Sequence, residues 1–238
     1  MVEQTHILAL IPARGGSKGL IGKNLYPILD KPLLQYTLDE AQKSQYLTGL
    51  MMSSEDAEIN AYAESFGVAV EYVRPASLAE DHTTTAEAVL HALDWLEAQN
   101  RLPDAVVLLQ PTSPLRTAEE IDAAILQFLE SEQDSLISVQ PMKEHPYKCV
   151  QAQSGGWQYL AQPEQFVSRR QDYTNDYYVI NGAIYIVTPQ FLRQHQEFTR
   201  EGLSELFVMD PISGVDIDDL ADVFQVEALL KMRQMQLK

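Results

Sequence analysis

Apolar and polar positions along this chain follow two periods, and the switches between them mark out most of its elements. Ile7-Leu8-Ala9-Leu10-Ile11 is apolar throughout, as expected of a strand covered on both faces. After a glycine-rich stretch, Pro32 suits the first turn of a helix running to about Tyr46, with Leu34, Leu38 and Ala41 on one face. Leu50-Met51-Met52 predicts a short strand. Ser54 is placed to cap a helix in which Ile59, Tyr62, Ala63 and Phe66 fall at i, i+3, i+4 and i+7. Gly67 stops that helix, Val68-Ala69-Val70 predicts a further strand, and Arg74-Pro75 interrupts regular structure.

The polar segment Leu78 to Thr85 feeds a periodic helix with Ala86, Val89, Leu90, Leu93 and Leu96. Ala105-Val106-Val107-Leu108-Leu109 is another fully apolar strand. Thr117 and Glu120 have capping-box spacing ahead of a helix with Ile121, Ala124, Ile125, Phe128 and Leu129, and Leu136 to Val139 is a strand. This alternation predicts a three-layer α/β/α arrangement around a mostly parallel sheet. From Pro141 to Tyr178 the rhythm changes to aromatics and turns, with Gly155-Gly156 as a hairpin tip. The predicted organisation is a main domain of residues 1–140 and 179–238, with 141–178 inserted as a small subdomain suited to an interface. Asn181 to Val187 resumes the sheet, and Val215 to Asp218 reads as a short strand. The last helix runs from about Asp219 to Gln234 with Leu220, Val223, Phe224 and Leu230 inward.

Composition narrows the classes. A chain of 238 residues with 45% hydrophobic and 21% charged residues has the make-up of a globular protein. No stretch is apolar for long enough to cross a bilayer. The first six residues lack the basic head and apolar body of a signal peptide, and one cysteine, Cys149, allows no internal disulfide, so a cytoplasmic location is expected. A formal charge of −17 opposes nucleic-acid binding.

Against that background the segment Pro12 to Asn24 stands out. It holds Gly15, Gly16, Gly19 and Gly22 with Arg14, Lys18 and Lys23, and no acid occurs between Glu3 and Asp30. A basic glycine-rich loop leaving a strand is suited to phosphates. The spacing is not that of a Walker loop, because Ser17 and Asn24 stand where Gly and Ser or Thr are needed, and there is no clean G-x-G-x-x-G. Gln110, Thr112, Ser113 and Arg116 follow a strand, where open α/β sheets bind ligands; the hydroxyls there equally suit turn backbone groups. Asp216 and Asp218, two apart, would share one face of a strand and could hold Mg²⁺, or could form a solvated acidic turn. Arg169-Arg170 could fork onto a carboxylate or phosphate, or simply be solvated. Cys149 carries no nucleophile signature.

Five stretches together resemble the acylneuraminate cytidylyltransferases, or CMP-sialic acid synthetases. They are Ile11 to Gly19, Leu109 to Arg116, Arg169-Arg170-Gln171-Asp172, Asn181 to Ile186, and Asp216-Ile217-Asp218. The resemblance implies a Rossmann-like nucleotidyltransferase fold and transfer of CMP from CTP to the anomeric hydroxyl of a nine-carbon 2-keto sugar acid, with Mg²⁺ and release of pyrophosphate. By position it implies that Arg14, Gly15, Gly16, Ser17, Lys18, Lys23 and Asn24 embrace the triphosphate. Arg74, Asp81, Thr83 and Thr84 would surround cytosine and ribose, with Arg74 acting largely through its backbone. Gln110, Tyr185, Arg169, Arg170 and Gln171 would meet the sugar, the arginines in the neighbouring site of a homodimer joined through the inserted subdomain. Asp216 and Asp218 would hold the metal, and Arg14, Lys18, Lys23, Asp216 and Asp218 would carry the catalysis. Ile21 departs from the proline frequent in the family, and Glu80 to Thr85 carries threonines where serines are more usual. Legionaminic, pseudaminic, deaminated neuraminic acid and Kdo are alternative acceptors; a non-catalytic nucleotide or sugar binder is the rival class.

Overall fold

The computed structural model describes residues 5–162 and 176–236. Ten strands and six helices follow in order: β1 (Ile7–Pro12), β2 (Pro27–Ile28), β3 (Lys31–Pro32), α1 (Leu33–Lys43), β4 (Gly49–Ser53), α2 (Ala57–Ser65), α3 (Thr85–Glu97), β5 (Ala105–Leu108), α4 (Ala118–Glu130), β6 (Ser135–Pro141), β7 (Val150–Gln153), β8 (Gly156–Tyr159), β9 (Tyr178–Val187), α5 (Pro189–His195), β10 (Glu205–Val208) and α6 (Leu220–Gln236). Six of the strands form one sheet in the order β10-β6-β9-β5-β1-β4. The pairs β1–β4, β1–β5 and β10–β6 are parallel, and only β9 runs against its neighbours β5 and β6.

The apolar runs behave as their pattern demands. On β1, Ile7, Ala9 and Ile11 join the side chains of α1, α2 and α4 on one face. Leu8 and Leu10 join α3 and α5 on the other. The expected capping box of Thr117 with Glu120 forms on α4, and α3 carries another, Thr84 with Glu87. A third cluster, of Leu20, Ile28, Leu33, Leu115, Ile217, Val223 and Val226, fastens α6 across the end of the sheet where the glycine loop emerges.

Several expectations need correction. Ser54 does not cap α2: Asp56 does, accepting from Glu58 N and Ile59 N, while Ser54 Oγ accepts from Asp56 N. Residues 68–70 form no strand. Their chain runs beside β4 but leaves a cavity of about 430 Å³ against it, walled by Leu50, Met51, Ala69, Tyr72 and Trp95, so no ladder closes. Residues 215–218 form no strand, and a bend begins at Asp218; Ile217 N donates to Thr112 O at 2.8 Å in place of a ladder. On α6 the buried positions are Val223 and Val226, and Leu220 and Phe224 are exposed, because the helix packs on the third cluster rather than on the sheet.

The strand 181–187 is longer than its pattern predicted and is broken by a bulge. Its register against β6 shifts between Ile137 and Val139, opposite Asn181-Gly182-Ala183. Gly182 has φ of +74°, a conformation a side chain strains. Asn181 fills the gap: its Oδ1 accepts from Ser138 Oγ at 2.6 Å and from Ala183 N at 3.1 Å. Beyond β6, β7 and β8 form the expected exposed hairpin around Gly155.

Candidate active site

Because β1, β4 and β5 are parallel, their carboxyl ends and the loops after them meet at one edge of the sheet. The chain switches sides between β4 and β5, which opens a crevice there. Two adjoining cavities occupy it. One, of about 280 Å³, is lined by Pro12, Arg14, Arg74, the 78–85 segment, Ala88 and Gln110. The other, of about 330 Å³, is lined by Pro12, Arg14, Ser17, Lys18, Gly19, Lys23, Asn24, Gln110 to Thr112, and Asp218. Arg14 and Gln110 border both.

The glycine loop is fixed from several sides. Asn24, buried, donates from Nδ2 to Arg14 O at 2.9 Å, and Gly15 N donates to Glu55 Oε1 at 2.8 Å. Each cation of the loop has a carboxylate partner. Asp81 bridges Arg14 and Lys18, at 3.1 Å and 2.6 Å, and the Lys18 hydrogen bond, followed by the neighbouring charges, holds its carboxyl below the ordinary value. Lys23 Nζ lies 3.1 Å from Asp218 Oδ1 and donates to Ile217 O at 2.9 Å. Thus Asp81, expected beside the nucleoside, here lies between the two cations expected to meet phosphate.

The 78–85 segment forms the wall of the first cavity, but its hydroxyls are partly committed. Thr83 Oγ1 donates to Ser77 O, and Thr84 caps α3. Arg74 is buried, with Nε on Ser53 Oγ at 3.0 Å and a terminal nitrogen on Ser53 O at 2.6 Å. Its side chain is therefore anchored to β4, which leaves mainly its backbone to face a ligand. Gly16, Ser17 and Lys18 lie at or near the surface of the loop, and Lys18 points into solvent.

Asp216 and Asp218 are exposed on either side of the buried Ile217, and Asp218 lines the second cavity. Crowding by protein pushes the Asp216 carboxyl above its ordinary value, the charge of Asp218 adds to this, and a nearby Thr112 hydroxyl works against it without a well-aligned hydrogen bond. Tyr185, on β9, packs against Phe198, and burial, then the charge of Asp216, raises its phenol, which sets its ring near the carboxylate pair.

Arg116 has a different place from the one its position after β5 suggested. It is wholly buried, donating to Gln110 O, Ala183 O and Thr37 Oγ1 at 3.2, 2.6 and 2.8 Å. Loss of water draws its pKa down to about 10. It ties the loop after β5 to β9 and α1 and does not face a ligand. Arg169, Arg170 and Gln171 lie outside the described residues. The residue that reading by motif missed is Glu55. Its signal was positional, since it follows the strand next to β1 and so arrives beside the glycine loop.

The family model described as cytidylyltransferase matches residues 8–235. The chain belongs to that family. It is 33% identical over 230 residues to a CMP-N,N'-diacetyllegionaminic acid synthase of Legionella pneumophila, covering 96% of this chain and 97% of the relative. It is 32% identical over 236 residues to an N-acylneuraminate cytidylyltransferase of Escherichia coli, covering 92% of this chain and 51% of the relative. A pseudaminic acid cytidylyltransferase of Campylobacter jejuni is 29% identical, over 94% of this chain and 96% of the relative. Among solved structures, a CMP:2-keto-3-deoxy-manno-octonic acid synthetase complexed with CTP superposes with a TM-score of 0.72, at 16% identity, over 96% of this chain and 100% of that one. At that identity the likeness is one of fold, a Rossmann-like nucleotidyltransferase architecture.

Proposed function

We propose that this cytidylyltransferase transfers CMP from CTP to the anomeric hydroxyl of a nine-carbon 2-keto sugar acid, with N-acylneuraminate as the leading acceptor. The observation that carries the reading is the pair of adjoining cavities at the end of β1, with Pro12, Arg14 and Gln110 common to both and Lys18, Lys23 and Asp218 around the second. Relatives named for legionaminic, pseudaminic and N-acylneuraminic substrates support the acceptor class and leave those three sugars as competing choices.

In the proposed reaction the sugar hydroxyl oxygen forms a bond to the α-phosphorus, the bond to the β-phosphate oxygen breaks, and pyrophosphate leaves. The hydroxyl proton passes to a base. Such transfer depends on position and on neutralising charge at phosphate oxygens. Arg14, Lys18 and Lys23 would supply that charge, and Arg74 and the 78–85 segment would hold the nucleoside. Asp216 and Asp218 fit Mg²⁺: both are hard oxygen donors, the charge of Asp218 acts on the Asp216 carboxyl, and a cation, Lys23, is already drawn to Asp218. When bound there, the metal adds positive charge at the phosphates. Tyr185 and Gln110 would border the sugar, and Arg169, Arg170 and Gln171 would reach a carboxylate in the neighbouring site of a homodimer. The exposed Val150, Trp157, Tyr159 and Leu160 of the inserted segment support that partner surface.

A pyrophosphate-release assay with CTP, Mg²⁺ and a panel of 2-keto sugar acids tests the proposal. Turnover is expected with N-acylneuraminate above the others. Turnover with an eight-carbon acid alone overturns the acceptor class, and none with any acid overturns the reaction.

A further inference from the structure

Gly15 opens the glycine loop, and what holds its backbone lies on another element. Its N–H donates to Glu55 Oε1 at 2.8 Å. Glu55 follows Ser53-Ser54 at the carboxyl end of β4, so the parallel pairing of β1 and β4 brings its carboxylate beside the loop. The next residue, Asp56, packs so closely on Gly15 that a Cβ there would collide with its carboxylate. Asp56 is itself immobile, accepting from Glu58 N at 2.8 Å and Ile59 N at 3.1 Å as the cap of α2.

The second oxygen of Glu55, Oε2, is buried and has no hydrogen-bond partner among the described residues. A carboxylate is held this way only where positive charge lies near. That charge includes Arg74, whose guanidinium burial draws below its ordinary value while the charge of Glu55 works the other way. Glu55 thus ties the loop amide to the carboxyl end of β4.

We infer that Glu55 is a positioning residue for the nucleotide: by accepting from the Gly15 amide it fixes the turn that opens the loop. The inference rests on reading the loop as the element that receives the triphosphate. On this account the loop meets CTP already folded, and Glu55 keeps its hold when the nucleotide arrives.

Hydrogen–deuterium exchange of the peptide holding Gly15, in the ligand-free protein, and CTP kinetics test it with wild type, Glu55→Gln and Glu55→Ala. The glutamine retains an acceptor for Gly15 N–H. It is expected to keep the wild-type exchange and a kcat/KM for CTP within about fivefold, whereas alanine speeds exchange and lowers kcat/KM by about tenfold or more. The acceptor KM at saturating CTP stays unchanged in both. Tighter CTP binding in either variant would mean that Glu55 occupies a phosphate position and leaves on binding, which overturns the inference. Rapid Gly15 exchange in Glu55→Gln overturns it as well, and serves where the alanine variant does not fold. A wild-type chain that fails to bind CTP overturns the nucleotide reading instead, and does so before any variant is made.

Discussion

Arg116 illustrates how one side chain can look like a ligand in sequence and act as a strut in the fold. Its three hydrogen bonds go to groups on three different elements, each buried or nearly so. Replacing it with alanine leaves those acceptors dry and unpaired, so Arg116→Ala is expected to destabilise the chain by about 3 kcal/mol in urea unfolding. Lysine should restore little, because it lacks the planar fork. Asp81 is the opposite case, an exposed carboxylate with a role set by two cations. Asp81→Asn removes the partner of both Arg14 and Lys18, so pyrophosphate should inhibit this variant several-fold more strongly than wild type, with unchanged thermal stability. The lowered carboxyl keeps that pairing intact from above the ordinary carboxylate pKa down to the depressed value, and it is lost only as pH falls through the latter. Tyr36 titrates in the other direction. Its hydroxyl donates to Ile28 O at 2.7 Å, and burial, then Asp30, Glu227 and Asp39, raise its pKa to about 12. The folded state thus holds a proton that the unfolded chain releases near pH 10, so stability falls as pH rises from 10 through 12. Tyr36→Phe should flatten that fall in melting curves at pH 9 and 11.

At the level of elements, the informative one is β9. It carries a run any reader of patterns assigns to the sheet, yet it enters antiparallel between β5 and β6 and bulges at Asn181-Gly182-Ala183. The bulge is held by side-chain bonds of Asn181 and by Ser138 Oγ, which accepts from Ile184 N at 2.8 Å. Asn181→Ala strips the partner from Ala183 N–H in a dry environment. The expected cost is about 2 kcal/mol in denaturant unfolding. Because Tyr185 lies three residues past Gly182, the same variant should raise the acceptor KM more than the CTP KM. Equal changes in both would separate the bulge from the sugar half of the site. The capping box of α4 and the faces of α1 and α2 were legible because local spacing alone sets them. The cap at Asp56 was not, since Ser54 satisfies the same short pattern.

For the molecule as a whole, charge and surface matter most. With a formal charge of −17, the basic loop is a local exception, and within the protein its three cations are partly offset by Asp81 and Asp218. Asp218→Ala is therefore expected to abolish turnover while leaving the fold intact by circular dichroism, since on the proposed reading it loses both the metal ligand and the partner of Lys23. Near-normal activity at saturating Mg²⁺ would remove Asp218 from the metal site. Apolar side chains are exposed both on the β7–β8 hairpin and, at Val179 and Ile180, at the start of β9. On the homodimer reading, sedimentation should give twice the chain mass, and Trp157→Asp should shift it toward one. Among the described residues no helix is long and apolar enough to cross a membrane.

Apolar period, glycine spacing and the clustering of bases were enough to determine the α/β alternation, the loop after β1 and the candidate carboxylate pair, because each is a local property of the chain. Which strands pair, that β9 reverses between β5 and β6, that Arg116 turns inward and that Glu55 reaches Gly15 were decided only in three dimensions. The Glu55–Gly15 and Arg116–Ala183 contacts join residues 40 and 67 apart in sequence, and no local preference encodes them. The glycine loop was visible from its residues alone; the groups that hold it ready became visible only once β4 lay beside β1.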